Sequence, residues 1–163
     1  MRILRGLLYL IIFIALAIGG VAIGARFNDG PIAIFPGGPL IAGETVDTPI
    51  DDWSFVADIQ EIEMQLMAQE TSRITWVVVY EKKAYIPVSL SFPPGKSWHK
   101  VADENGAALL RVDGKKYPIS LSRVMDEDLA KKIDGPLSAK YPALPGGDDS
   151  EEIGRWYFEV RSR

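Results

Sequence analysis

Residues 61–90 read EIEMQLMAQETSRITWVVVYEKKAYIPVSL, and the order of apolar and polar side chains in this stretch decides the fold class. Glu61-Ile62-Glu63-Met64-Gln65-Leu66 alternates strictly, the period of a strand with one buried and one wet face. Thr75 to Tyr80 is a β-branched and aromatic run, which predicts a strand buried on both faces. Glu81-Lys82-Lys83 is a short polar break, and Ala84 to Leu90 then returns as the second arm of a hairpin. Pro87 has no amide hydrogen to give to a ladder, so it marks an edge or a bulge.

Toward the C-terminus, Ser91 to Gly106 reads as a long irregular stretch. Ala107–Val112 and Tyr117–Val124 are strands around an Asp113-Gly114 hairpin turn. Asp126 is an N-cap candidate for a short helix through about Ile133, which Asp134-Gly135-Pro136 should end. Lys140–Ser150 reads as loop, and Trp156–Val160 as a last strand. Six strands, two hairpins and one short helix predict a mainly β domain, an antiparallel barrel or sandwich.

Toward the N-terminus, residues 27–52 are rich in Pro, Gly and Asp and read as a stalk that settles onto the domain. Ile32, Ile34, Phe35, Leu40 and Ile41 are its candidate docking contacts. Before it, Leu7 to Gly24 (LLYLIIFIALAIGGVAIG) carries no charge. At 1.5 Å per residue this tract spans roughly 27 Å, close to the hydrocarbon core of a bilayer. Arg2 and Arg5 precede it and only Arg26 follows closely. The positive-inside rule then predicts a single-pass anchor in the inner (cytoplasmic) membrane, with the C-terminal domain exported to the periplasm. A cleaved signal shares the basic start and the small residues near Ala25, but its apolar region is usually 7–15 residues long. The expected division is an anchor over 1–26, the stalk over 27–52 and the β domain over 53–163.

Composition narrows the chemistry. The chain has no cysteine, which excludes disulfides, thiolate metal sites and thiol nucleophiles. Setting Arg2 and Arg5 aside leaves 16 basic residues against 22 acidic ones, about −6 for the exported part. With no basic tract interleaved with aromatics, nucleic acid is not expected as a partner. The partners expected are the lipid bilayer, through residues 7–24, and a membrane protein. Among catalytic patterns, the phosphate-cradling glycine loop, the metal-binding histidine pair and the G-x-S-x-G elbow are all absent. Glu61, Glu63 and Gln65 read as the solvated face of their strand.

Two segments remain. Thr71-Ser72-Arg73 places two hydroxyls and a guanidinium just before the Thr75–Tyr80 strand, groups suited to holding a phosphate or carboxylate. The plainer alternative is a turn with a solvated arginine. Lys96-Ser97-Trp98-His99-Lys100 combines cations, an aromatic plate and the single imidazole in a long loop, and such loops are often functional. Trp98 suits a planar ring and His99 a proton transfer or haem ligation, although haem is not favoured. The alternative is that Trp98 plugs the barrel and His99 is exposed. No metal site is expected.

Over about residues 58–125 the order of these elements resembles the split β-barrel of flavin reductases and pyridoxamine-phosphate-oxidase-like proteins. It is similar above all to the deazaflavin-dependent nitroreductase (quinone reductase) branch. The resemblance implies a six-stranded antiparallel split β-barrel, here behind a transmembrane helix. Thr71, Ser72 and Arg73 stand at the family's T-x-G-R-x-S-G-type phosphate segment, and Lys96, Trp98 and His99 at its P-x-W-Y-x-N-L-type segment. It further implies FMN or a deazaflavin as cofactor and an oxidoreductase that reduces a quinone near the bilayer. Both glycines of the phosphate segment are missing here, and Val101-Ala102 replace the Asn-Leu. Glycine there lets backbone approach a phosphate closely. The alternative is therefore a non-catalytic accessory subunit of an envelope complex, built on a degenerate barrel.

Overall fold

The structure is a computed structural model that describes residues 2–91, 95–142 and 154–163. Helix α1 (Arg2–Ala25) covers the uncharged tract, and it is long and apolar enough to cross a membrane as an anchor or to act as a signal sequence. The chain then runs through a short strand β1 (Glu44–Thr45) and one 3₁₀ turn, Ser54–Val56, into β2 (Glu61–Leu66) and β3 (Thr71–Trp76). There follow β4 (Val78–Tyr80), β5 (Lys83–Ser89), α2 (Trp98–Glu104), β6 (Ala107–Val112), β7 (Lys115–Arg123), α3 (Glu127–Lys140) and β8 (Arg155–Ser162). Architecture is thus mixed: among the described residues two α-helices besides α1 accompany an eight-stranded sheet, where one short domain helix and six strands are expected from the sequence.

Strands pair in the order β3-β2-β6-β7-β8-β5-β4, all antiparallel, with β1 added to β7 in parallel. The two end strands, β3 and β4, are consecutive in the chain and separated only by Val77. A sheet whose ends are tied by one residue must curl, and it forms a half-barrel around an apolar interior. The expected Thr75–Tyr80 strand is therefore divided at Val77, its first part pairing with β2 and its second with β5.

That corner strands the backbone groups of Val77, which is fully buried. Its N–H donates to Tyr141 Oη at 3.2 Å, and its carbonyl accepts from Lys140 Nζ at 2.8 Å. Tyr141 Oη also lies 2.6 Å from Gln60 O. The last turn of α3 thereby supplies the partners that a broken ladder cannot.

α3 starts where expected: Asp126 caps it, accepting from the amides of Asp128 and Leu129. It does not stop at Pro136, which sits inside the helix. Proline removes one helical hydrogen bond, yet Ile133 and Leu137 on either side are buried against Tyr85, Tyr157 and Val78. That burial outweighs the local break. Residues 92–94 and 143–153 lie outside the described residues, and with them Phe92-Pro93-Pro94 and most of the loop expected over Lys140–Ser150.

The hairpin expectations hold in register. Val112 faces Lys115 across Asp113-Gly114, both with positive φ, and Tyr80 faces Lys83 across Glu81-Lys82. Pro87 pairs with Tyr157 on one side, while β4 reaches only to the level of Tyr85, so the other side of Pro87 is a local edge.

The inner face carries Ile62, Met64, Leu66, Leu110, Ile119 and Phe158. The outer face of β2 and β6 is not open to water. Leu40 N–H donates to the buried Gln65 Oε1 at 2.8 Å. Arg111 bridges Glu63 and Asp29 and donates to the carbonyls of Asp29 and Ala42. This corrects the reading of Glu63 and Gln65 as a solvated face: a chain segment immediately after α1 is clamped over them. Of the five apolar contacts expected to dock that segment, only Leu40 is buried, Phe35 is half-buried, and Ile32, Ile34 and Ile41 point outward. Polar contacts do the holding. Gly37 bridges to Ser72, and a side chain at Gly37 would collide with Gly30 O.

Candidate functional site

The site is built where the start of β3, the end of β7, the start of β8 and α2 meet. Thr71, Arg73 and Thr75 oppose Leu66, Met64 and Ile62, so they share the inward face of the sheet. Ser72 points the other way. Its Oγ donates to Gly38 O at 2.6 Å and its N–H to Gly37 O, beneath the clamped segment. Thr71-Ser72-Arg73 is thus regular strand rather than a turn, and the amide of Ser72 is already committed.

Lys96-Ser97-Trp98-His99-Lys100 is not an unstructured loop either, since Trp98 opens α2. The helix lays Trp98, Val101 and Ala102 on the mouth of the apolar interior. Arg73 and Trp98, expected from separate segments, come together: the guanidinium carbon lies 5.5 Å from the indole centroid. Phe158 packs on Trp98 with centroids 6.1 Å apart. His99 is buried, with 6 % of its surface exposed, against the expectation that it would be exposed wherever Trp98 plugs the interior.

Around His99 the chain stacks cations and rings alternately. His99 meets Trp98 edge-on at 6.4 Å and Trp156 edge-on at 5.3 Å, and Arg123 covers Trp156 at 3.4 Å. Arg123 also pairs with Asp103 at 3.2 Å. Neither Arg123 nor Trp156 was legible as a site residue, because each ends or begins a strand and only the β7–β8 register brings them to α2.

The electrostatics are those of a cationic mouth. Burial lowers the pKa of His99, and the charges of Lys96, Lys100 and Arg123 lower it further and outweigh Asp103, which raises it, so the neutral ring is favoured. Burial alone brings Arg73 down to about 10, which still leaves it protonated, and burial lowers Lys96. Arg73 Nη2 donates to Gln69 Oε1 at 2.7 Å, a neutral partner. Among the described residues, two buried side-chain nitrogens have no hydrogen-bond partner: Arg73 Nε and His99 Nδ1. Such groups are costly to leave bare, and both lie against Trp98.

No family model and no curated protein matches the chain. Among solved structures, one described as a NimC/NimA family protein from Clostridium acetobutylicum is similar over 68 % of this chain and 78 % of that one. The two share 12 % identity at a TM-score of 0.44.

Proposed function

We propose that this chain is a membrane-anchored split β-barrel domain that holds the phosphate-bearing end of a flavin- or deazaflavin-class cofactor on the exported side of the membrane. The observation that supports it is the pair of buried, unpartnered nitrogens, Arg73 Nε and His99 Nδ1, in a mouth that also holds Lys96 and Arg123. Thr71 adds a hydroxyl on the same inward face.

The residues fit a phosphate. Arg73 offers a charge-assisted donor and Lys96 a second charge, while neutral His99 offers Nδ1–H in one tautomer. Bound there, the cofactor would supply hydride or electron transfer, toward a quinone-like acceptor. For its ring system the fit is partial, since Arg73 and Phe158 already pack against Trp98. Ser72 contributes nothing, being held by Gly38.

Those two facts favour a second reading, the non-catalytic accessory subunit of an envelope membrane complex. Absorption spectra of the full-length chain purified from membranes, followed by FMN titration, separate the two. A flavin-type band, or FMN binding that Arg73→Met weakens about 10- to 100-fold, supports the cofactor reading. A colourless protein that ignores FMN at high micromolar concentration leaves the accessory reading.

A further inference from the structure

The segment after α1 has an unusual outer surface. From Phe27 to Ala42 the only charged residue is Asp29, and it is paired with Arg111, which also pairs with Glu63. Apolar side chains meanwhile face outward: Phe27 is 88 % exposed, Ile34 89 % and Ile41 72 %. These residues are not scattered along a flexible tether. The amides of Ile41 and Ala42 are bound by the Asp29 carboxylate, two residues beyond Phe27. Ile32 and Phe35 pair to form a tight turn with Ile34 at its tip, and Gly37 packs directly on Gly30. One compact knot, riveted to the sheet through Arg111, Gln65 and Ser72, therefore presents several large apolar groups together. Soluble surfaces rarely do this without a partner.

The knot is continuous with α1, which reaches Ala25, and the uncharged tract ends at Gly24. If α1 spans the bilayer, Phe27 emerges within one helical turn of the hydrocarbon edge. We infer that residues 27–42 form a platform that inserts Phe27, Ile34 and Ile41 into the outer interface of the bilayer, seating the β domain directly on the lipid surface. The occupant is lipid and its recognition is chiefly apolar: no lysine or arginine lies between Phe27 and Ser72, and the cations at the rim are Arg26, next to Phe27, and Lys116, which donates to Ile41 O. The inference rests on the anchor part of the reading above, not on the cofactor. Its consequence is positional, because Ser72, held under Gly37 and Gly38, is the neighbour of Arg73, and the cationic mouth is thereby kept near the membrane surface.

Because the chain lacks cysteine, single cysteines can be placed at will. Full-length chain carrying Ile14→Cys, Phe27→Cys, Ile34→Cys, Ile41→Cys or Glu127→Cys is labelled with an environment-sensitive fluorophore. Each is reconstituted in phosphatidylcholine vesicles holding nitroxide lipids at shallow or deep positions. Glu127 is the control, on α3, which packs on the β4–β5 side of the sheet. Deep nitroxides should quench the label at 14, and shallow nitroxides those at 27, 34 and 41, at least twofold over the label at 127 and equally at low and high salt. Quenching at 14 with labels at 34 and 41 no more quenched than at 127 overturns the platform alone. No quenching at 14 removes the anchor and the platform with it.

Discussion

Tyr141→Phe should destabilise the domain by far more than the loss of one hydroxyl at a helix end suggests. The hydroxyl has one proton and two near carbonyls, Gln60 O at 2.6 Å and Val77 O at 2.9 Å. Val77 O is also served by Lys140, so the proton goes to Gln60, which is exposed and can fall back on water. The Val77 amide cannot. It is buried at the corner between β3 and β4, and Tyr141 Oη is its acceptor. Leaving a buried donor unpaired costs about 1–3 kcal/mol. Taking about 2 kcal/mol, the folded-to-unfolded ratio falls roughly 30-fold and the melting temperature by about 6 °C. Thermal and urea melts of the solubilised chain, followed by tryptophan fluorescence, measure this, with the urea m-value unchanged. Lys140→Met should cost less, because Tyr141 can turn its proton to Val77 O. A Tyr141→Phe protein within about 0.5 kcal/mol of wild type would refute the idea that α3 seals the corner.

Gly37→Ala forces a methyl group against the Gly30 carbonyl and should cost about 1–3 kcal/mol. Limited proteolysis should then cut residues 27–42 faster, whereas Gly135→Ala, with open space around it, should be neutral or stabilising in the same assay. Glu63→Lys would set a cation beside Arg111, whose side chain is mostly buried, and should cost about 1–2 kcal/mol in a urea melt. Asp29 gives a pH signature. Burial raises its pKa, but the amides of Ile41 and Ala42 and the Arg111 guanidinium outweigh this and hold it below the usual carboxylate value. Its contribution is present above the unfolded carboxylate pKa and is lost as pH falls through the lowered folded value. Asp29→Asn should therefore flatten the acid side of the stability–pH curve, and a curve of unchanged shape would count against the clamp.

What the sequence made legible was local. β2 keeps the bounds and the inward face that its alternation predicts, Asp113-Gly114 supplies the backbone of a two-residue turn, and Asp126 caps α3 as its side chain allows. What it hid depends on partners distant in the chain. The valine run reads as one strand, but Val77 marks the point where the sheet must curl, and its rescuers lie some sixty residues on. Pro136 reads as a stop because the pattern does not display the burial of Ile133 and Leu137. Glu63 and Gln65 look wet until Asp29 and Leu40 are laid over them. Of the site, Arg73 and Trp98 stand out separately in the sequence, on residue type, and the structure joins them. Arg123 and Trp156 carry no local signal at all. His99 was legible as the only imidazole, though not as a buried one.

That uniqueness supplies the most direct test of the mouth as an anion site. His99 gives the single side-chain imidazole signal of the chain, so its titration can be followed by NMR of the solubilised protein, alone and with FMN or inorganic phosphate. The free protein should show a pKa below the usual histidine value, because burial and the cations Lys96, Lys100 and Arg123 oppose its charge. A bound anion should raise it, and Arg73→Met should weaken the anion concentration dependence of that rise. A His99 that titrates at the ordinary value of about 6.5 and does not respond to either anion would contradict the site.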